Sequence, residues 1–150
     1  MANSYTSMNI HFVFSTKNRK NLIDNNMQSR LWAYMGGIAK DYKMVALAVG
    51  GTDNHVHILI SIPAAISPAK CIQLIKSNSS KWINEEFPNN GGFSWQVGYS
   101  GFSVSPRQIQ NVRNYIMGQE EHHRIRSFEE EYIGFLKNSG IEYDERYVWG

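Results

Sequence analysis

Residues 45–62 read Val-Ala-Leu-Ala-Val-Gly-Gly-Thr-Asp-Asn-His-Val-His-Ile-Leu-Ile-Ser-Ile, two short strand-like runs around a turn. Val45 to Val49 is apolar, Gly50-Gly51-Thr52-Asp53-Asn54 supplies turn residues, and His55 opens the second run, so the segment is a hairpin. Side chains alternate along a strand. Val56, Ile58, Ile60 and Ile62 therefore share one face, and His55, His57, Leu59 and Ser61 share the other. The β-branched face is the core side. The two imidazoles point away from it, toward whatever covers the opposite face.

Working outward, residues 5–16 also alternate, with Ile10, Phe12 and Phe14 on one face and His11 and Val13 on the other, which predicts a strand. Lys17, Arg19 and Lys20 follow in a polar loop. From Ile23, apolar residues recur at Met27, Leu31, Met35, Ile38 and Tyr42, a helical stripe. Gly36-Gly37 interrupts it, weakening the helix by about 1 kcal/mol per glycine relative to Ala, and predicts a close packing contact there. Downstream of the hairpin, Ser67-Pro68 supplies an N-cap and an N1 proline for a helix to about Phe87, with Cys71, Leu74, Ile75, Trp82 and Ile83 on its buried side. Pro88-Asn-Asn-Gly-Gly92 breaks the chain, and residues 93–103 read as a further strand. Ser105-Pro106 repeats the capping device and starts a third helix. Ser127 and Glu130 form a capping-box pattern for a last helix that stops at Gly140. Tyr143, Tyr147, Val148 and Trp149 predict that the tail docks on something, with a dimer contact among the choices.

The order β-α-β-β-α-β-α-α predicts an α+β fold. Its first six elements match the ferredoxin-like split βαβ, an antiparallel sheet with helices on one face, and two C-terminal helices are appended. One domain over residues 1–150 is expected: a body (1–104), a third-helix segment (105–123), and an acidic helix and tail (124–150).

A chain of 150 residues with 42% hydrophobic and 19% charged content is ordinary for a globular domain and excludes wholesale disorder. No apolar run approaches the roughly 18 residues of a membrane helix. Residues 1–7 lack the layout of a signal peptide, and the single cysteine, Cys71, cannot form an internal disulfide, so a cytoplasmic location is expected. The net charge of +2 conceals an asymmetry: residues 1–119 carry +6 and residues 120–150 carry −4. A basic body suits a polyanionic partner.

Two imidazoles at i and i+2 on a rigid strand form a preformed bidentate metal pair, or else polar residues on a half-exposed sheet. Two ligands are too few for structural zinc, and no cysteine lies nearby. The third helix carries Tyr115 and Gln119, four residues apart and hence on one face, about 6 Å apart along the axis. A glutamine oxygen is a hard ligand of the kind Mg²⁺ or Mn²⁺ accepts, and Tyr115 stands one turn away. Beside a metal-polarised phosphodiester a tyrosine can attack phosphorus. By spacing alone, Tyr115 reads first as a core aromatic and Gln119 as a surface amide, since eight tyrosines offer many chance pairs of this kind.

Taken together and in order, these parts resemble the HUH single-tyrosine transposases of small bacterial insertion sequences (TnpA-type). His55-Val56-His57 looks like the H-hydrophobic-H signature. Tyr115-Ile-Met-Gly-Gln119, followed by His122-His123, looks like the catalytic helix with its third metal ligand four residues after the tyrosine. Phe12-Val-Phe-Ser-Thr-Lys17, residues 95–105 and residues 140–149 are supporting matches. Gly118, directly before Gln119, departs from a good helix and is expected to loosen it locally.

The resemblance implies cleavage and rejoining of single-stranded DNA at hairpin-bearing element ends. Tyr115 is the nucleophile, and Mg²⁺ or Mn²⁺ is held by His55, His57 and Gln119. It also implies a homodimer, whose sites are composed within one subunit or in trans. Lys17, Arg19, Lys20, Lys76, Lys81, Arg107 and Arg113 are candidates for DNA contacts. Trp95, Tyr99 and Phe102 are read as core aromatics before base-stacking ones, and His11 as a polar strand residue before a fourth ligand. Three alternatives stand beside this reading: a non-catalytic single-strand binder, a domesticated repeat-associated relative with the same chemistry, and a phosphodiesterase using water as nucleophile.

Overall fold

The computed structural model describes residues 4–88 and 92–149. Part of the break read at 88–92, the first three residues and Gly150 lie outside the described residues. Four strands, β1 (Asn9–Ser15), β2 (Val45–Gly51), β3 (His55–Ser61) and β4 (Ser100–Ser103), form an antiparallel sheet in the order β2-β3-β1-β4. This is the arrangement expected of a split βαβ body. Helices α1 (Asn25–Asp41) and α2 (Pro68–Glu86) pack on the face that carries Phe12, Phe14, Val56, Ile58 and Ile60. Each of those fully buried side chains contributes about 1.5–3 kcal/mol of burial.

The opposite face is covered by the C-terminal segment: α3 (Ile109–Met117), α4 (Gln119–His122) and α5 (Phe128–Asn138). Phe128, Tyr132 and Leu136 of α5 pack on Val13 of β1, and Tyr143, Val148 and Trp149 of the tail pack against them. Ile116 of α3 packs on Ala48 and Leu59. The sheet is thus enclosed on both sides, and β3 is buried from His55 through Ile60.

Ser67 and Ser127 cap as read, accepting from the backbone N–H three residues on at 3.0 and 3.2 Å, and Asp24, not singled out in the sequence, does the same for α1 at 2.9 Å. Ser105, read as a third cap, accepts no such bond. Three expectations change. The first strand is Asn9–Ser15 rather than 5–16, because it is only as long as its pairing with β3. Residues 93–99 do not join the ladder except through a single Thr16–Trp95 bridge, and the fourth strand is confined to Ser100–Ser103. The third helix is broken: a 3₁₀ turn at Pro106–Gln108 precedes α3, and Gly118 (φ −100°, ψ 20°) separates α3 from α4.

A further correction concerns the glycines. A Cβ on Gly36 or Gly37 would meet nothing within 4 Å, so the close packing contact expected in α1 is absent. The close approach is at Gly50 of β2 instead, where a Cβ would run into the Ile116 backbone carbonyl of α3. Gly50 therefore sets how near the Tyr115 helix comes to the sheet. Gly37→Ala is expected to raise unfolding free energy by about 0.5–1 kcal/mol, and Gly50→Ala to lower it by about 1–3 kcal/mol, both read by urea denaturation.

Candidate functional site

Period-two alternation puts His55 and His57 on the sheet face turned toward α3–α5, and antiparallel pairing puts His11 of β1 diagonally beside His57. All three imidazoles are buried, at 3%, 0% and 0% exposure for His11, His55 and His57. Above them, α3 brings Tyr115, the Gly118 break swings Gln119 inward, the end of α4 brings His122 and His123, and α5 brings Glu131. Phe128 stacks on the His55 ring, with centroids 4.3 Å apart, and Phe135 closes the wall beside His11, His57 and Tyr115.

His55 Nε2 lies 3.0 Å from Gln119 Oε1, and His123 Nε2 lies 2.9 Å from the same oxygen. His57 Nε2 lies 2.8 Å from Glu131 Oε1. The tyrosine hydroxyl donates to Glu131 Oε2 and lies 3.2 Å from His122 Nε2. On their far sides, His55 Nδ1 is 2.9 Å from Asn54 Oδ1 and His57 Nδ1 is 2.8 Å from His11 Nε2. Each Nδ1 thus has an orienting partner, and each Nε2 is aimed at a side-chain oxygen. Such partners fix tautomer and ring direction in histidine metal sites.

The donor set fits a divalent cation. Donor atoms of His55, His57, His123 and Glu131 all lie within 4.8 Å of one another. Cis ligands at bonds of about 2.1 Å sit about 3 Å apart, the spacing found here between His55 and Gln119 and between His57 and Glu131. Mixed imidazole and oxygen donors without thiolate suit Mn²⁺, Zn²⁺ or Mg²⁺ with added waters.

Burial sets the protonation states. It pushes His11 and His55 down to about 3, and the neighbouring His57 pushes in the same direction, so both are neutral at pH 7. Burial opposes charge on Glu131 too, but hydrogen bonds from His123, His57 and Tyr115 outweigh it and hold the carboxyl well below its usual range. Burial, reinforced by the Glu131 carboxylate, pushes the Tyr115 hydroxyl well above its usual 10. The phenol is therefore protonated while Glu131 is in place.

Tyr115, His55, His57 and Gln119 are thus gathered in one chain. The basic candidates are dispersed. Lys17, Lys20, Lys81, Arg107 and Arg113 are exposed. The Lys76 ammonium donates to the carbonyls of Gln96, Val97 and Gly98 at 2.7, 3.3 and 2.8 Å, which engages it in holding that loop. Arg19 donates to Glu129 Oε1 at 3.0 Å, and its guanidinium lies 4.5 Å over the Trp149 ring. Trp95 is buried and Phe102 packs in the second cluster, as expected of core aromatics, whereas Tyr99 is 40% exposed.

Sequence reading missed Glu131 and His123 and gave His11 no partner. A signal for Glu131 existed: it lies three residues after Phe128 and four before Phe135, on the apolar face of α5, where a carboxylate is anomalous.

The IS200-like transposase family model matches residues 4–119, and the chain belongs to that family. No curated protein matches the chain. Among solved structures it is similar to a presumed transposase from Deinococcus radiodurans R1 (TM-score 0.63, 20% identity, 79% of this chain and 96% of that one). It is also similar to a REP-associated tyrosine transposase bound to a REP hairpin (TM-score 0.60, 12% identity, 82% of this chain and 73% of that one). At these identities the likeness is one of fold. The family match stops at Gln119, so His122, His123 and Glu131 lie beyond it.

The pKa shifts set a pH dependence. Unfolding returns His11 and His55 to 6.5, so between pH 6.5 and about 3 the unfolded chain binds protons that the folded one refuses. Stability is full above that window and falls as pH drops through it, by up to about 1.4 kcal/mol per pH unit per histidine. His123 works in the opposite sense, since Glu131 overcomes its burial and raises it; its contribution is lost as pH rises through its folded value. In EDTA, the urea midpoint is expected to fall from pH 6.5 toward about pH 5, and His11→Asn to flatten that fall.

Proposed function

We propose that this transposase cleaves and rejoins single-stranded DNA through a 5′-phosphotyrosine at Tyr115, with His55, His57 and Gln119 as the ligands of Mg²⁺ or Mn²⁺. The observation that carries the reading is the convergence, within one chain, of Tyr115 and Gln119 on the inward-facing His55–His57 pair. A bound divalent ion would supply charge stabilisation on the scissile phosphate.

The chain's own residues do the rest. Tyr115 Oη forms a bond to phosphorus as the bond to the 3′ oxygen breaks, and the proton lost by the phenol is balanced by the one the 3′-hydroxyl gains. His122, 3.2 Å from the hydroxyl, orients it. The phosphotyrosine keeps the energy of the diester, so a second 3′-hydroxyl regenerates Tyr115 without ATP. That agrees with a sequence lacking a P-loop or a dinucleotide-binding glycine pattern. Asn54 and His11 hold the two imidazoles in line from behind.

Exposed Lys17, Lys20, Lys81, Arg107 and Arg113 are proposed to contact the DNA backbone, with Arg19 and Lys76 available once their present partners release them. A hairpin-bearing substrate is supported by the similarity to the hairpin-bound REP-associated enzyme, and the same similarity supports host repeats as an alternative source of that hairpin. Because the tyrosine reaches the histidine pair within one chain, a homodimer is proposed only for the joining of two ends, with exchange of the helix at Gly118 as the route to sites in trans.

With labelled single-stranded DNA and Mn²⁺, wild type is expected to form a denaturation-resistant adduct that Tyr115→Phe does not form. His57→Ala is expected to lose about 100-fold or more of cleavage while keeping single-strand binding. Cleavage persisting unchanged in Tyr115→Phe points to water as the nucleophile and overturns the covalent mechanism.

A further inference from the structure

The histidine end of the site described above is closed, while Tyr115 and His122 stand part-exposed at its mouth. His55 and His57 have no exposed surface, Gln119 is 1% exposed and Glu131 2%. Glu131 Oε1 stands against His57, and Glu131 Oε2 accepts from the Tyr115 hydroxyl and lies 3.2 Å from His122 Nε2 and 3.4 Å from His123 Nε2. A phosphodiester attacked by Tyr115 must put phosphorus next to that hydroxyl and an anionic oxygen next to those imidazoles. The Glu131 carboxylate already fills both places. It is hard, anionic and oxygen-bearing, as a phosphate is, and two such anions repel in one buried pocket when no cation lies between them.

A second contact lies outside the pocket on the same helix. Arg19, in the basic loop after β1, is held by Glu129 of α5 and covered by Trp149 of the tail. Trp149 in turn packs on Tyr132 and Phe128, with centroids 5.3 and 6.1 Å away. The acidic segment after Gln119 therefore sets one carboxylate against the Tyr115 hydroxyl and engages a cation of the +6 body with another.

We propose that residues 128–149 form an intramolecular plug that stands in for single-stranded DNA, with Glu131 in the position of the scissile phosphate and the Arg19–Glu129–Trp149 contact as its latch. The proposal rests on the single-strand reading given above. DNA binding and α5 docking are then mutually exclusive, so weakening the latch strengthens binding by the free energy the latch supplied. Glu129 and Trp149 lie outside the pocket, so changing them opens the plug without altering a group that touches the reacting atoms.

The test uses the full chain in EDTA with a fluorescein-labelled 30-nucleotide single strand. Affinity is read by anisotropy, and release of residues 128–138 by amide hydrogen exchange. The proposal expects DNA to raise exchange of those amides in wild type. It expects Glu129→Gln to bind the strand more tightly than wild type, and Glu129→Gln with Trp149→Ala to bind about fivefold or more tightly. The single variant keeps the test valid if the double variant is poorly folded. Wild type that binds the strand while α5 stays protected overturns the plug and leaves the single-strand reading intact, whether or not Glu129→Gln, which also frees Arg19, binds more tightly. No binding by wild type or either variant overturns both.

Discussion

Strand β3 lies between two layers that demand opposite chemistry, and its two-residue period meets both demands at once. Val56, Ile58 and Ile60 complete the apolar layer beneath α1 and α2, while His55 and His57 are delivered to the other face with no freedom to choose it. Sliding the pairing by one residue would bury the imidazoles in hydrocarbon and turn the isoleucines toward Tyr115, so the register that makes the core also makes the site. Every other functional group is placed relative to this strand: His11 by its ladder with β1, and Tyr115 by the close approach of α3 to Gly50.

Burying so many titratable groups is costly unless they satisfy one another. A carboxylate removed from water loses several kcal/mol of hydration. Glu131 offsets this with hydrogen bonds involving His57 and Tyr115 and with nearby His122 and His123, and all the described buried side-chain polar atoms are partnered. Such a network holds a dry and well-defined pocket, in which an added charge interacts far more strongly than it would in water. The same network holds the Tyr115 hydroxyl against the Glu131 carboxylate. The chemistry proposed for Tyr115 belongs to the state in which a phosphate has replaced the carboxylate.

Much of this was legible in the sequence because alternation and capping are local. The hairpin at 45–62 assigned the histidine faces correctly, and Ser67-Pro68 and Ser127 marked helix starts that the structure keeps. The tyrosine and glutamine came from a four-residue spacing that gained meaning only from its order after the histidine pair. What failed was long-range. Gly36-Gly37 looked like a contact because glycine in a helix is costly, yet the tight approach was made by Gly50, whose partner is 66 residues away in the chain. Glu131 hid in an acidic run, since three successive glutamates read as a favourable first helical turn. Only docking of α5 distinguishes the one that is buried.

In the proposed mechanism the phenol of Tyr115, and no other nucleophile, carries the DNA strand between cleavage and joining. The most direct measurement is mass spectrometry of the protein–DNA adduct after nuclease trimming and tryptic digestion. A residual nucleotide is expected on the peptide spanning residues 114–124, localised to Tyr115. A nucleotide on any of the other seven tyrosines, or cleaved DNA with no modified peptide at all, would contradict that mechanism.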